Sequence, residues 1–271
     1  RLLFKGYGSS KQARPRETAL IAMDSVFVLD EAHLNQQLLV TARRVAKLQE
    51  FGADIGVPRL QVVETTATPS ELKKGQTEVG VDVSNLDGAD DAELLRRVNS
   101  VKELRRVSVE KWNGAPGNSE VVAHAVAEIH NLRNDQTGSE VEQSRTIGCI
   151  VNHVDTAVKI ANELKKRKLN VELIVGRMRT YDLEQLREKH PLLFTCVGDN
   201  EIDVVVATQT LEVGIDIDFY SLVTELAPAS SLAQRFGRVN RLGNRTDSKI
   251  VVLEPVDLAK VKDLMPPYKG V

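Results

Sequence analysis

The sequence predicts an α/β protein built on parallel sheets flanked by helices, and three observations carry that expectation. From residue 146 onward, short apolar runs alternate with stretches of helical periodicity, joined mostly by short connections. Val204-Val205-Val206-Ala207 is an unbroken apolar run, as a parallel strand covered on both faces requires. Polar residues follow it directly, Thr208, Gln209 and Thr210, at the strand end where open α/β sheets place their ligands.

The elements follow in order. Residues 1–24 are basic and read as irregular. A short apolar strand over 26–29 ends in Asp30-Glu31-Ala32-His33. A helix over 38–51, closed by Gly52, precedes a strand over 60–63 that runs into Thr65-Thr66-Ala67-Thr68 and stops at Pro69. From 70 to 101 acidic and polar residues dominate, which reads as a linker or boundary, with a helix over 90–104. Residues 107–109 read as a strand, 113–117 as a turn, 121–132 as an amphipathic helix and 134–144 as an exposed loop.

The regular alternation then begins. It runs through strand 146–151, helix 156–168 with Asp155 as N-cap, strand 171–175 and helix 181–190 ended by Pro191. Strands 203–207 and 222–226 follow, then a helix that puts Gln234, Arg238 and Arg241 on one face (i, i+4, i+7), then a last strand over 250–253. The second half is a complete α/β domain, whereas the first part supplies two clear strands, too few for a complete domain of the same type.

Composition narrows the function classes. The chain has 271 residues, 42% hydrophobic and 27% charged, with a net charge of −2. That is ordinary for a protein with a proper core, and no global basic field announces a nucleic-acid binder, although a local stripe would still hold a polyanion. Cys149 and Cys196 form no CxxC pair and read as reduced core thiols of a cytoplasmic protein. No apolar run reaches membrane-spanning length and no signal peptide is present, so no membrane partner is expected. The chain starts at Arg1 rather than Met, which suggests a fragment or processed chain.

The residues that carry chemistry each have a structural alternative. Asp30-Glu31 at a strand end suits a nucleotide-hydrolysing site, one carboxylate serving Mg²⁺ and the other the attacking water; the alternative is an acidic helix start favoured by the helix dipole. Thr66 and Thr68 either couple domains through hydroxyl hydrogen bonds, with His33 a possible partner, or cap a turn. Thr208, Gln209 and Thr210 either touch a sugar-phosphate backbone or cap a strand-to-helix turn. Gly214 and Asp216 either approach a nucleotide or shape a turn. Arg238 and Arg241 either stabilise charge on a transferring phosphate or form a solvated helix face. The histidines are scattered without HExxH or Cys-His spacing, and no GxSxG occurs, so zinc and serine chemistry are not supported.

The order of these motifs resembles the superfamily-two DEAD/DEAH helicases. Asp30-Glu31-Ala32-His33 is similar to motif II, Thr66-Ala67-Thr68 to motif III, and Ile150-Val151-Asn152-His153 to motif IV. Ala207-Thr208-Gln209 through Gly214-Ile215-Asp216 is similar to motif V, and Gln234 to Arg241 to motif VI. With LLFKGYGSS ahead of LDEAHL, then ATQTLEVGIDIDF and GRVNRLG, the wording resembles the helicase part of the CRISPR-associated helicase-nuclease of type I interference systems.

The resemblance implies two RecA-like domains with ATP and Mg²⁺ in their cleft: a partial first domain over 1–75, a linker over 76–105, a complete second domain over 106–256 and a tail over 257–271. It implies Asp30 and Glu31 at the metal and the attacking water, and His33, Thr66 and Thr68 coupling hydrolysis to movement. Gln234, Arg238 and Arg241 belong to the catalytic motif, the two arginines reaching the γ-phosphate while Gly214 and Asp216 approach the nucleotide. Asn152, His153, Thr208 and Gln209 would touch single-stranded DNA. Expected partners are that DNA, the CRISPR RNA-guided surveillance complex and a nuclease domain encoded upstream or separately. Two departures stand out: no GxxxxGK[ST] phosphate loop occurs, and the nuclease domain is absent, both expected upstream of Arg1. Two alternatives remain, another superfamily-two helicase of DNA or RNA, and a non-catalytic binding module.

Overall fold

The computed structural model describes residues 10–56, 58–66, 77, 79–136, 145–176, 178–211 and 216–256. The chain divides into two compact units, Arg1–Val79 and Gly80–Val271. The segment expected as a linker over 76–105 therefore lies largely within the second unit. Gly214, Thr68 and the tail over 257–271 lie outside the described residues, as does the side chain of His33.

In the first unit, α1 (Arg14–Ala22) precedes β1 (Val26–Leu29), a 3₁₀ turn (Ala32–Asn35), α2 (Gln36–Leu48), a second 3₁₀ run (Gln49–Ile55) and β2 (Gln61–Glu64). The sequence reads 1–24 as irregular, yet α1 forms there, with a proline in its first turn where the missing N–H matters least. Strands β1 and β2 pair in parallel, Val26 opposite Gln61 through Leu29 opposite Glu64. Helix α2 starts at Asn35, whose side chain accepts from the Leu38 N–H at 3.3 Å. It buries Leu39, Ala42 and Val45 along one stripe, against Ala22, Leu29 and Leu60. The chain leaves α-geometry at Leu48, short of the expected Phe51, because Gln49 turns inward and bridges two elements: its Nε2 donates to the Ala22 carbonyl at 2.7 Å and its Oε1 accepts from Leu60 N–H at 2.9 Å.

The second unit is a six-stranded, all-parallel sheet in the order β3-β8-β7-β4-β6-β5. Its elements are α3 (Ala92–Val98), β3 (Glu103–Val109), α4 (Ser119–Asn134), β4 (Ile147–Ile150), α5 (Val154–Lys166), β5 (Val171–Ile174), α6 (Thr180–Lys189), β6 (Val204–Ala207), β7 (Ser221–Glu225), α7 (Ala229–Phe236) and β8 (Lys249–Pro255). Strand alternation feeds two cores. Ile147, Cys149, Val204, Val206, Val223, Val251 and Leu253 join α4 and α5 in one, while Ile150, Val205, Ala207, Leu222, Ile250 and Val252 join Leu186 and Leu193 in the other. Val204–Ala207 is buried at every position, as a two-faced parallel strand requires.

Gly148 is needed in β4: a Cβ there would lie 2.6 Å from the Phe219 ring. Helix α3 stops at Val98, short of the expected 104, because from Glu103 the backbone pairs with all seven residues of β8. His153, rather than Asp155, sits at the N-cap of α5; Asp155 lies in the first turn and pairs with Lys159 at 3.0 Å. Cys149 is buried as expected, whereas Cys196 is partly exposed. Among the described residues no helix is long and apolar enough to cross a membrane.

Candidate functional site

In the first unit the two parallel strands end together, and that registry joins the residues that follow them. The Thr65 hydroxyl donates to Asp30 Oδ1 at 2.6 Å, and the Glu31 backbone N–H donates to the same oxygen at 3.1 Å. Asp30 Oδ2 makes no hydrogen bond among the described residues, and Asp30 is exposed. Glu31 takes a left-handed backbone (φ 48°, ψ 50°), a conformation that disfavours a side chain by roughly 1–2 kcal/mol. That turn lets the Ala32 N–H reach the Thr65 carbonyl at 3.1 Å. Sequence reading placed the coupling hydroxyls at Thr66 and Thr68; the hydroxyl bound to Asp30 is Thr65, one residue earlier, and only pairing register finds it. Two carboxylates and a threonine at a strand end are hard oxygen donors, which fits Mg²⁺ rather than a softer metal.

In the second unit the polar set gathers at the carboxyl ends of β4, β6 and β7. Asn152 follows β4: its backbone N–H donates to Glu225 Oε2 at 2.8 Å, and its side-chain amide donates to the Leu226 carbonyl at 2.9 Å. His153 is half-buried, and burial pushes its pKa below the ordinary value, opposed by a hydrogen bond with the Gly114 backbone. After β6, Thr208 is buried and its hydroxyl lies 3.3 Å from that of Thr210, while Gln209 and Thr210 are partly exposed.

Asp216 collects the arginines. Its Oδ1 pairs with Arg241 Nη1 and lies 3.8 Å from Arg238 Nη1. The expectation of one helical face carrying Gln234, Arg238 and Arg241 is corrected here. Helix α7 ends at Phe236, so only Gln234 is helical. Beyond Gly237 the chain pairs with Phe219 instead: Phe219 N–H donates to the Arg238 carbonyl at 2.7 Å and Asn240 N–H to the Phe219 carbonyl at 3.0 Å. The two arginines converge through this turn and through Asp216, not through helical periodicity. The turn is held from below, where Asp218 is buried and accepts from Arg241 N–H at 2.8 Å and from Arg245 Nη1 at 3.0 Å.

The residue that sequence reading missed outright is Arg235. Its guanidinium is fully buried and donates to Thr224 Oγ1 at 2.9 Å, the Glu225 carbonyl at 3.2 Å and Asn152 Oδ1 at 3.0 Å, tying α7 to the ends of β4 and β7. Burial lifts the Glu225 carboxyl to about 7, against the Asn152 N–H and the Arg235 charge. A charged residue closing the buried run Ser221–Glu225 was the available signal. Elsewhere, His190 comes within 4.8 Å of Asp199 and Glu201, a grouping that histidine spacing did not reveal; its Nδ1 is held by Asp199 Oδ2 at 2.8 Å.

A parallel sheet with helices on both faces and a polar set at its strand ends defines a RecA-like α/β fold, shared with the crystal structure of T. fusca Cas3 (TM-score 0.56, 20% identity, 92% of this chain and 32% of that one). The same protein solved with AMPPNP and with ATP matches at TM-scores of 0.53 and 0.52, and a chain of a CRISPR RNA-guided surveillance complex at 0.54, with 22% identity over 90% of this chain and 32% of that one. Residues 143–244 match the family described as CRISPR-associated nuclease/helicase Cas3, C-terminal. The CRISPR-associated helicase Cas3 of Thermoproteus tenax is 28% identical over 84% of this chain and 33% of its own length. The chain is thus similar to the helicase portion of Cas3 proteins, and it spans about a third of the length of the Thermoproteus tenax relative.

Proposed function

We propose that this chain carries motor elements of an ATP-dependent, single-stranded-DNA translocase of CRISPR interference. The observation that carries the reading is the gathering of Arg238 and Arg241 on Asp216, in the turn that pairs with Phe219 just before β7 begins. Two guanidiniums aimed from one turn suit the spread charge of a transferring phosphoryl group, a role worth on the order of 10³–10⁵ in rate. Asp216 holds both until a phosphate competes for them.

Mg²⁺, bound to ATP, would supply charge neutralisation at the phosphate oxygens. Asp30 offers it Oδ2, with Oδ1 fixed by Thr65, and Glu31 orients the attacking water. Thr66, Thr68 and His33 relay the nucleotide state, and Gly214 shapes the approach to it. Gln209 and His153 present polar groups to the DNA backbone, with Thr208 and Asn152 supporting them from beneath. The solved surveillance complex with a similar chain supports such a complex as partner, and the nuclease/helicase family supports an associated nuclease.

The test is ATP turnover by the full-length gene product with and without single-stranded DNA. Stimulation by DNA that Arg241→Ala abolishes is expected. Turnover unaffected by Arg241→Ala overturns the reading. Residues 1–271 contain no phosphate loop, so this chain by itself should not hydrolyse ATP.

A further inference from the structure

The turn that carries Arg238 and Arg241 has no regular structure of its own and is gripped at both ends by the segment entering β3. At its start, Lys102 Nζ donates to the Phe236 carbonyl at 3.1 Å. This is the last residue of α7, where the ammonium joins the Val239 N–H (3.1 Å) on a carbonyl at the negative end of the helix dipole. At its far end, Arg96 Nε donates to the Leu242 carbonyl at 2.9 Å. Gly243 follows with φ +69°, and a Cβ there would lie 2.4 Å from the Arg96 carbonyl oxygen, so the turn lies backbone-to-backbone on the last residues of α3. Beneath both, Asp218 faces Lys102, Arg245 and the Arg241 N–H. Burial lowers the Lys102 pKa, opposed by the Asp218 charge.

We infer that Lys102 and Arg96 are positioning residues for the arginine pair. Lys102 fixes where α7 stops and therefore where Arg238 begins, and Arg96 with Gly243 fixes where the turn closes after Arg241. An exposed contact such as Arg96 adds little to stability, whereas misplacement of a reacting group by about 1 Å lowers the rate by about 100-fold. The segment from α3 into β3 thus sets the aim of the arginines. This inference rests on the proposed ATP hydrolysis.

The test uses the full-length gene product with single-stranded DNA, comparing wild type, Arg241→Ala, Lys102→Met, Arg96→Ala, Arg96→Lys and Gly243→Ala. Lys102→Met and Arg96→Ala should each lower kcat about ten-fold or more, leaving KM for ATP and the unfolding temperature near wild type. Gly243→Ala should lower kcat and also the unfolding temperature, because its Cβ meets the Arg96 backbone. Arg96→Lys, which keeps a donor for the Leu242 carbonyl, should restore much of the loss. The Nε–Hε signals of Arg238 and Arg241, read by NMR on arginine-labelled protein, should shift in Lys102→Met. That readout needs no turnover. A wild type that does not hydrolyse ATP therefore sinks the functional reading alone, while unmoved arginine signals sink the positioning inference. Unchanged kcat in Lys102→Met and Arg96→Ala, alongside loss in Arg241→Ala, overturns it as well.

Discussion

Replacing Arg235 by Met removes a fully buried guanidinium while keeping much of its aliphatic volume. Thr224 Oγ1 and Asn152 Oδ1 lose the guanidinium donor, the Glu225 carbonyl keeps only the Thr224 hydroxyl, and the Glu225 carboxylate loses its counter-charge. Above the Glu225 pKa of about 7, the substitution leaves an uncompensated buried charge, and a loss of about 3–5 kcal/mol is expected. Well below it, Glu225 is neutral and only unpaired acceptors remain, so the loss shrinks to about 1–3 kcal/mol. The assay is denaturant unfolding followed by Trp112, the chain's only tryptophan, which is buried in the second unit and so reports on that unit. Curves at about pH 8.5 and about pH 5.5 should differ in this way. A loss under about 1 kcal/mol at the higher pH, or equal losses at both, refutes the argument that the Asn152–Glu225–Arg235 cluster ties α7 to the sheet.

Further tests use the same probe or the turnover assay. The Glu225 pKa is about 7 folded against an ordinary 4.5, so the stability it contributes is complete below about pH 4.5 and disappears as pH rises through about 7. Glu225→Gln should flatten that slope, an effect of about 3 kcal/mol at most, and a slope unchanged in the variant would count against Glu225 as its source. Gly148→Ala should destabilise the second unit by about 1–3 kcal/mol, since the added carbon meets the Phe219 ring; a neutral result would mean the ring moves aside freely. Asp216→Asn should lower ATP turnover by the full-length gene product about ten-fold by releasing Arg238 and Arg241. Its unfolding temperature should stay near wild type, because Asp216 is 62% exposed. Thr65→Val should lower turnover while changing stability by about 1 kcal/mol or less, and wild-type turnover in that variant would remove Thr65 from the site.

The sequence by itself determined the parallel α/β class, the strand ends and the order of the motifs along them. Apolar runs such as Val204–Ala207 are local signals, because a strand buried on both faces must be apolar at every position. Asp30 and Asn152 were legible for the same reason, as polar residues directly after such runs. Edge strand β3 was legible only at 107–109, since its first half, Glu103 to Arg106, is exposed and pairs its arginines with Glu128 and Glu254. What only the tertiary structure decided is how side chains far apart in the chain meet. Periodicity alone ran one helix through Arg241, but backbone bonds with Phe219 end it at Phe236 and hand the arginines to Asp216. The same holds for Thr65 on Asp30, a contact set by the register of two strands, and for Arg235, a charge whose partners sit 10, 11 and 83 residues away. Periodicity records which face an element buries; it carries no record of the partner across the core, because that partner is chosen by strand order and register.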